Sequence, residues 1–257
     1  MQPELCAGDK HVLSMAGCIA ILRGNNNRTL NIYTGMEIKM QNVEQVRFNM
    51  IEQQIRPCDV LEGRILDLLH HVRRENFVPD SKQAMAFMDM EIPLGYGVSM
   101  WQPKLEARAL QELHLGHNDR VLEVGTGSGY LTALLSSLAG QVTSVEIVPE
   151  LSEMARQHLQ PYHRENITLA VGDASHGWGE GASFDAIVLT GSTPILPEIF
   201  KTSLNIGGRL FAIVGEAPVM EAKLITRVSA DTYTTVNIME TSIAPLQNAE
   251  QPKRFVF

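Results

Sequence analysis

Basic residues are scarce in this chain of 257 residues: 21 Lys and Arg stand against 29 Asp and Glu, a formal net charge of −8 with a pI near 5.5. A protein that grips nucleic acid needs a cationic face to displace counterions from phosphates, so this balance argues against a nucleic-acid substrate. Cysteine is sparse as well. Cys6, Cys18 and Cys58 are odd in number, widely spaced and without a C-x-x-C or nearby histidine pattern, so neither a disulfide framework nor a metal site is expected. A reducing cytoplasm is the expected location. Long apolar runs are missing too: no segment reaches the roughly 18 residues needed to cross a bilayer, and no membrane role is expected. Internal repeats and low-complexity tracts are also lacking. What remains, 44% hydrophobic and 19% charged residues, suits a globular enzyme with one substantial core.

Residues 1–39 carry no periodicity that ties them to the rest and read as an N-terminal extension, expected to be disordered, ahead of a single domain over 40–257. Within that domain, 40–103 read as a helical addition on the substrate side. Val43, Val46, Met50 and Ile51 recur at helical spacing and stop before Arg56-Pro57, and a second helix is expected from about Val60 to His71. The stretch Ile92 to Pro103 holds two prolines and two glycines and reads as a shaped loop leading into a helix, with Pro103 in its first turn. From 104 onward strands and helices alternate: 120–124, 129–139, 142–146, 150–160, 167–171, 184–189, 196–204 and 208–214. That alternation predicts an α/β fold with a doubly wound, mostly parallel, Rossmann-like sheet covered on both faces. Two late runs, Lys223 to Val228 and Tyr233 to Met239, predict an antiparallel C-terminal edge.

The most informative segment is Val121-Leu-Glu-Val-Gly-Thr-Gly-Ser-Gly-Tyr130. A strand runs into a glycine turn and then a helix, which is how an α/β sheet holds a nucleoside cofactor. Position 130, where a G-x-G-x-x-G dinucleotide motif has its last glycine, is Tyr130. Glu123, two residues before Gly125, would oppose a bound diphosphate but attract a positively charged ligand. S-adenosylmethionine (SAM) is such a ligand, with a sulfonium, an ammonium and no phosphate. Glu146 ends the next strand at a spacing suited to ribose hydroxyls, and Asp173, after the third strand, suits an adenine amino group. Glu123, Gly125, Thr126, Gly127, Ser128, Gly129, Tyr130, Glu146, Ile147, Gly172, Asp173, Ala174 and Thr190 are therefore the candidate cofactor residues.

Beyond the glycine motif, the ordered set Met50-Ile-Glu-Gln-Gln-Ile-Arg-Pro57, Phe77-Val-Pro79, Pro93-Leu-Gly-Tyr-Gly97 and Gly207-Gly-Arg-Leu210 resembles the protein-L-isoaspartate O-methyltransferases over roughly 40–257. The resemblance implies a class I SAM-dependent methyltransferase. Its acceptor would be the α-carboxylate of isoaspartyl residues in damaged proteins, the first step of their repair. One position departs from the family pattern Thr-Ile-Ser-x-Pro: this chain has Ser99-Met-Trp-Gln-Pro103, so Trp101 stands where the family has its active-site serine. An indole offers one donor, no acceptor and far more bulk. Ser99, in the threonine's place, and Lys104 are the remaining candidates for holding a carboxylate. No general base is needed, because a carboxylate with a pKa near ~4 is already ionised at neutral pH. The end of the fourth strand, Leu189-Thr-Gly-Ser192, lacks the Asn/Asp-Pro-Pro-aromatic box of nucleic-acid amino methyltransferases. The expected partner is a protein or peptide with isoaspartyl residues, or a small carboxylate acceptor. A methyltransferase for another small acceptor and a non-catalytic SAM-binding module are the alternative readings.

Overall fold

The computed structural model describes residues 42–162 and 165–252, and the extension expected over 1–39 lies outside the described residues. A helix over 42–50 (α1) passes directly into a π-helical turn, Ile51–Ile55, and a 3-10 turn, Arg56–Cys58. The helical course thus outruns the stop expected before Arg56-Pro57. Pro57 is accommodated because it sits in the first turn of a new, tighter helix, where its missing N–H has no bond to lose. Helix α2 (Gly63–His71) buries Ile65, Leu66 and Leu69, and is followed by a 3-10 turn, Arg74–Phe77.

The segment read as a loop is a small antiparallel hairpin, β1 (Ile92–Gly95) with β2 (Val98–Met100), pairing Ile92 with Met100 and Pro93 with Ser99. Its tip requires left-handed backbone at three successive residues, Gly95 (φ 96°), Tyr96 (φ 55°) and Gly97 (φ 76°), and the two glycines take two of them without a Cβ penalty. Helix α3 (Pro103–Leu113) then starts on its proline as expected.

A seven-stranded sheet follows, built from β3 (Arg120–Val124), β4 (Gln141–Glu146), β5 (Ile167–Val171), β6 (Phe184–Thr193), β7 (Leu204–Glu216), β8 (Val219–Arg227) and β9 (Tyr233–Thr241), in the order β5-β4-β3-β6-β7-β8-β9. The first five strands are parallel, whereas β8 and β9 run antiparallel as the C-terminal edge. The helices α4 (Tyr130–Leu138), α5 (Pro149–Leu159) and the short α6 (Glu198–Thr202) are the crossovers. Alternate residues of one strand enter opposite cores: Val121 and Val188 pack with α3 and α4, while Leu122, Ile187 and Leu189 pack with Phe200 and Leu204. Both faces are buried, which is why these strands read as continuous apolar runs. Each fully buried Leu, Ile or Phe contributes about 1.5–3 kcal/mol. The order reverses between β3 and β6, and the crevice beyond their carboxyl ends is where an open α/β sheet takes a ligand.

Candidate active site

At that reversal one cavity is lined by residues of β1, β2, β3, β4, β6, α3 and α4, of the loops after β2, β3, β4 and β5, and of the segment after β9. The glycine loop after β3 forms its floor. Gly125 donates from its amide to the Val145 carbonyl at 2.8 Å, and the Thr190 hydroxyl on β6 reaches the carbonyls of Val124 (2.8 Å) and Gly125 (2.7 Å). A Cβ on Gly125 would stand 2.1 Å from Thr190 Oγ1, and its φ of 98° is left-handed. Only glycine meets both conditions. Thr126 Oγ1 lies 2.6 Å from Ser144 Oγ, and the Gly127 amide donates to Glu146 Oε2 at 2.8 Å while the Val148 amide donates to Glu146 Oε1 at 3.0 Å. Glu146 therefore shapes the loop as well as facing the cavity. Helix α4 begins at Tyr130, one residue later than the expected start at 129.

Of the thirteen cofactor candidates, Glu123, Gly125, Thr126, Gly127, Ser128, Glu146, Ile147, Gly172, Asp173, Ala174 and Thr190 line this cavity, and Gly129 and Tyr130 do not. The Tyr130 ring turns into the core, 5.3 Å from Phe77, with the Arg74 guanidinium 5.2 Å from its centroid. Glu123 is fully buried. Its Oε2 accepts from the Thr132 hydroxyl at 2.5 Å and its Oε1 has no partner. Burial pushes its carboxyl up to about 8 against the pull of the Ser144 and Thr132 hydroxyls. Asp173 accepts from the Ser175 amide (2.9 Å) and from Asn248 Nδ2 (2.8 Å). Against the upward push of partial burial, these bonds hold its carboxyl below the usual carboxylate range.

Ser99 and Trp101 line the same cavity, so the hairpin and the glycine loop face one space. Lys104 stands apart: it does not line the cavity, and its Nζ lies 2.7 Å from Asp89 Oδ2. An ammonium already paired there is not held out to an acceptor. Trp101 is 5% exposed, with its ring centroid 6.2 Å from that of Phe211 on β7. Arg74 donates to the Trp101 carbonyl at 2.6 Å and pairs with Glu106, both side chains being buried. Burial pushes the Glu106 carboxyl up to about 8, with Arg74 opposing the shift.

Several lining residues carry no signal in the sequence. Glu91 and Glu106 come from the hairpin approach and from α3, and Pro245, Leu246 and Gln247 belong to a strap that lies along β6. The strap is held by Ser192 N to Ala244 O (3.0 Å) and Leu246 N to Ser192 O (2.9 Å). Among the described residues lining the cavity none is Lys, Arg or His.

Comparison with known proteins agrees with this geometry. The family model described as protein-L-isoaspartate(D-aspartate) O-methyltransferase matches residues 44–251. The protein-L-isoaspartate O-methyltransferase 2 of Marinobacter nauticus is 35% identical over 211 residues, covering 82% of this chain and 96% of that protein. The protein-L-isoaspartate O-methyltransferase 1 of Rhodopseudomonas palustris is 36% identical over 201 residues, covering 78% of this chain and 82% of that protein. Among solved structures, a protein-L-isoaspartate O-methyltransferase shares the fold with a TM-score of 0.67 at 22% identity, over 79% of this chain and 65% of that one. A Plasmodium falciparum protein described as a putative member, in complex with S-adenosyl-L-homocysteine, gives a TM-score of 0.66 at 19% identity, over 79% of this chain and 97% of that one.

Proposed function

Because the chain belongs to the protein-L-isoaspartate(D-aspartate) O-methyltransferase family, we propose that it methylates the α-carboxylate of isoaspartyl residues in protein and peptide substrates, with SAM as donor. The observation that carries this reading is the composition of the cavity: a glycine loop, three strand-end acids and no cationic side chain among its described lining. A dinucleotide diphosphate would meet Glu123 there without any compensating cation. SAM instead brings positive charge to a buried carboxyl whose Oε1 has no partner. When bound, SAM supplies a methyl group on a positively charged sulfur.

Glu123 would hold the cationic portion of SAM, whose charge favours the ionised carboxylate. Glu146 would accept from the ribose hydroxyls, while Asp173, Ala174 and Gly172 would border the base. The acceptor enters on the side of β1, β2 and α3. Its carboxylate oxygen uses a lone pair to form the new O–C bond as the S–C bond breaks, leaving a neutral ester and a neutral thioether. No proton moves, so no residue has to serve as a base. What the chain contributes is alignment of the two reactants and exclusion of the water that would solvate the carboxylate, together worth several kcal/mol.

No helix among the described residues is long and apolar enough to cross a membrane. The exposed, unpaired Cys58 supports a reducing compartment, the cytoplasm.

The test is transfer of labelled methyl from SAM to an isoaspartyl peptide, with its aspartyl counterpart as control. Base-labile label on the isoaspartyl peptide alone is expected. SAM binding with no label on that peptide would overturn the reading.

A further inference from the structure

Building on the function proposed above, we propose that Trp101 is the acceptor-recognition residue of this chain: its indole Nε1–H donates a hydrogen bond to the substrate carboxylate. Trp101 lines the cofactor cavity, is 5% exposed, and its Nε1 is buried with no hydrogen-bond partner. A buried N–H without a partner is costly, and an acceptor on a ligand in the cavity that Trp101 lines would satisfy it. The residue is also held in place from two sides. Arg74, itself fixed by Glu106, grips the Trp101 carbonyl, and Phe211 packs against the ring. An anchored ring loses little freedom when the substrate arrives.

The other groups on that side leave few donors. Leu94, Val98, Met100 and Ile243 have no polar side chains, and Glu106 is committed to Arg74. Glu91 is acceptor-only when ionised. The neighbouring cations are engaged elsewhere, Lys104 with Asp89 and Lys82 with the Pro93 carbonyl. Three neutral side-chain donors remain, the Ser99 hydroxyl, the Trp101 indole and the Gln247 amide, which reaches the Tyr96 carbonyl at 3.5 Å. The chemistry favours neutral donors. The carboxylate loses its charge on becoming an ester, so a cation beside it would stabilise the ground state more than the transition state and slow transfer. A neutral donor orients the carboxylate while leaving it reactive.

The chain has two tryptophans, Trp101 and Trp178, so a ¹⁵N spectrum contains two indole signals. Trp101→Phe assigns one of them by its loss. With S-adenosylhomocysteine bound to the full-length protein, adding the isoaspartyl peptide is expected to move the Trp101 signal downfield, and the aspartyl peptide is expected to leave it in place. In kinetics, Trp101→Phe should raise KM for the isoaspartyl peptide about tenfold with SAM affinity unchanged, and Trp101→Ser, which restores a donor, should recover part of it. A Trp101 signal unmoved by the peptide, or one that moves fully with S-adenosylhomocysteine alone, overturns the proposal. So does an unchanged KM in Trp101→Phe. If that variant does not fold, deletion of the Trp178 signal by Trp178→Phe assigns the spectrum and the wild-type titration decides. Failure of the wild type to methylate the peptide defeats the functional reading itself, whereas methylation with a silent indole defeats this inference alone.

Discussion

Replacing Arg74 with methionine would remove the cation that ties the 3-10 turn after α2 to the segment between β2 and α3. Arg74 is fully buried, pairs with buried Glu106, donates to the Trp101 carbonyl and covers the Tyr130 ring at 5.2 Å. Deleting one partner of a buried pair typically costs about 3–5 kcal/mol, because the other charge is left without compensation. The lost bond to the Trp101 carbonyl and the lost ring contact overlap with that figure, since all three share one guanidinium. A loss of about 4 kcal/mol is expected, or roughly 8–16 °C in Tm for a domain of this size. The loss should also depend on pH. Without Arg74 the Glu106 carboxyl is pushed further above its unfolded value near ~4.3, so the variant folds with a proton bound. A raised carboxyl pKa gives stability that is present below the unfolded value and lost as pH rises. In the wild type the same carboxyl already stands at about 8, so both proteins lose stability alike up to that pH. The deficit of Arg74→Met should therefore stay level from about pH 6 to about pH 8 and grow above it, by up to ~1.4 kcal/mol per unit. Urea denaturation at about pH 7 and about pH 9 measures this, with Arg74→Met/Glu106→Leu as the second arm. An apolar pair of similar volume should return to within about 1 kcal/mol of the wild type. If Arg74→Met loses under about 1 kcal/mol at pH 8, or the double variant is no better than the single, the pair does not hold this region together and the reasoning fails.

Three other outcomes follow from the site. With the Glu123 carboxyl raised to about 8, SAM binding should release a proton at neutral pH. Its affinity should then climb from about pH 6 until it levels above about pH 8; Glu123→Gln should flatten that profile, and calorimetry in buffers of different ionisation heat would detect the proton. Gly125→Ala places a Cβ 2.1 Å from Thr190 Oγ1 at a φ of 98°, so SAM binding should fall by more than about a hundredfold, and adding Thr190→Ala should not restore it because the backbone strain persists. Lys104→Met should leave kcat/KM for an isoaspartyl peptide within about twofold, since the lysine is paired with Asp89 outside the cavity; a drop beyond about tenfold in the steady-state assay would return it to the acceptor site.

What was legible in the sequence was what neighbouring residues determine among themselves. β3 and β5 have the expected bounds because each is an apolar run closed by turn residues, and the side of the cavity lined by the glycine loop follows from them, since a strand end, a glycine turn and an acid at fixed spacing are consecutive in the chain. Where a partner far away completes the pattern, the reading stops. β6 looked finished at Leu189, yet Ser192 and Thr193 continue it because Ile213 and Val214 of β7 pair with them and the strap takes the Ser192 groups. The hairpin of β1 and β2 read as a loop because Pro93, Gly95 and Gly97 weaken any local preference for strand, and only the pairing reveals it. Glu106 looks like one more solvated acid on a helix. Its partner Arg74 stands 32 positions earlier, so no spacing rule connects them. Tyr130 follows the glycine motif directly, but its ring is drawn away by Phe77 and Arg74 rather than by a ligand. Trp101 marks the limit most clearly. Its chemistry, one donor and no acceptor, is written in the residue type, but whether that donor is idle depends on every group folded around it. The backbone anchor at Arg74 and the ring contact at Phe211 fix the indole where its Nε1 meets no acceptor, and each of those contacts joins distant parts of the fold.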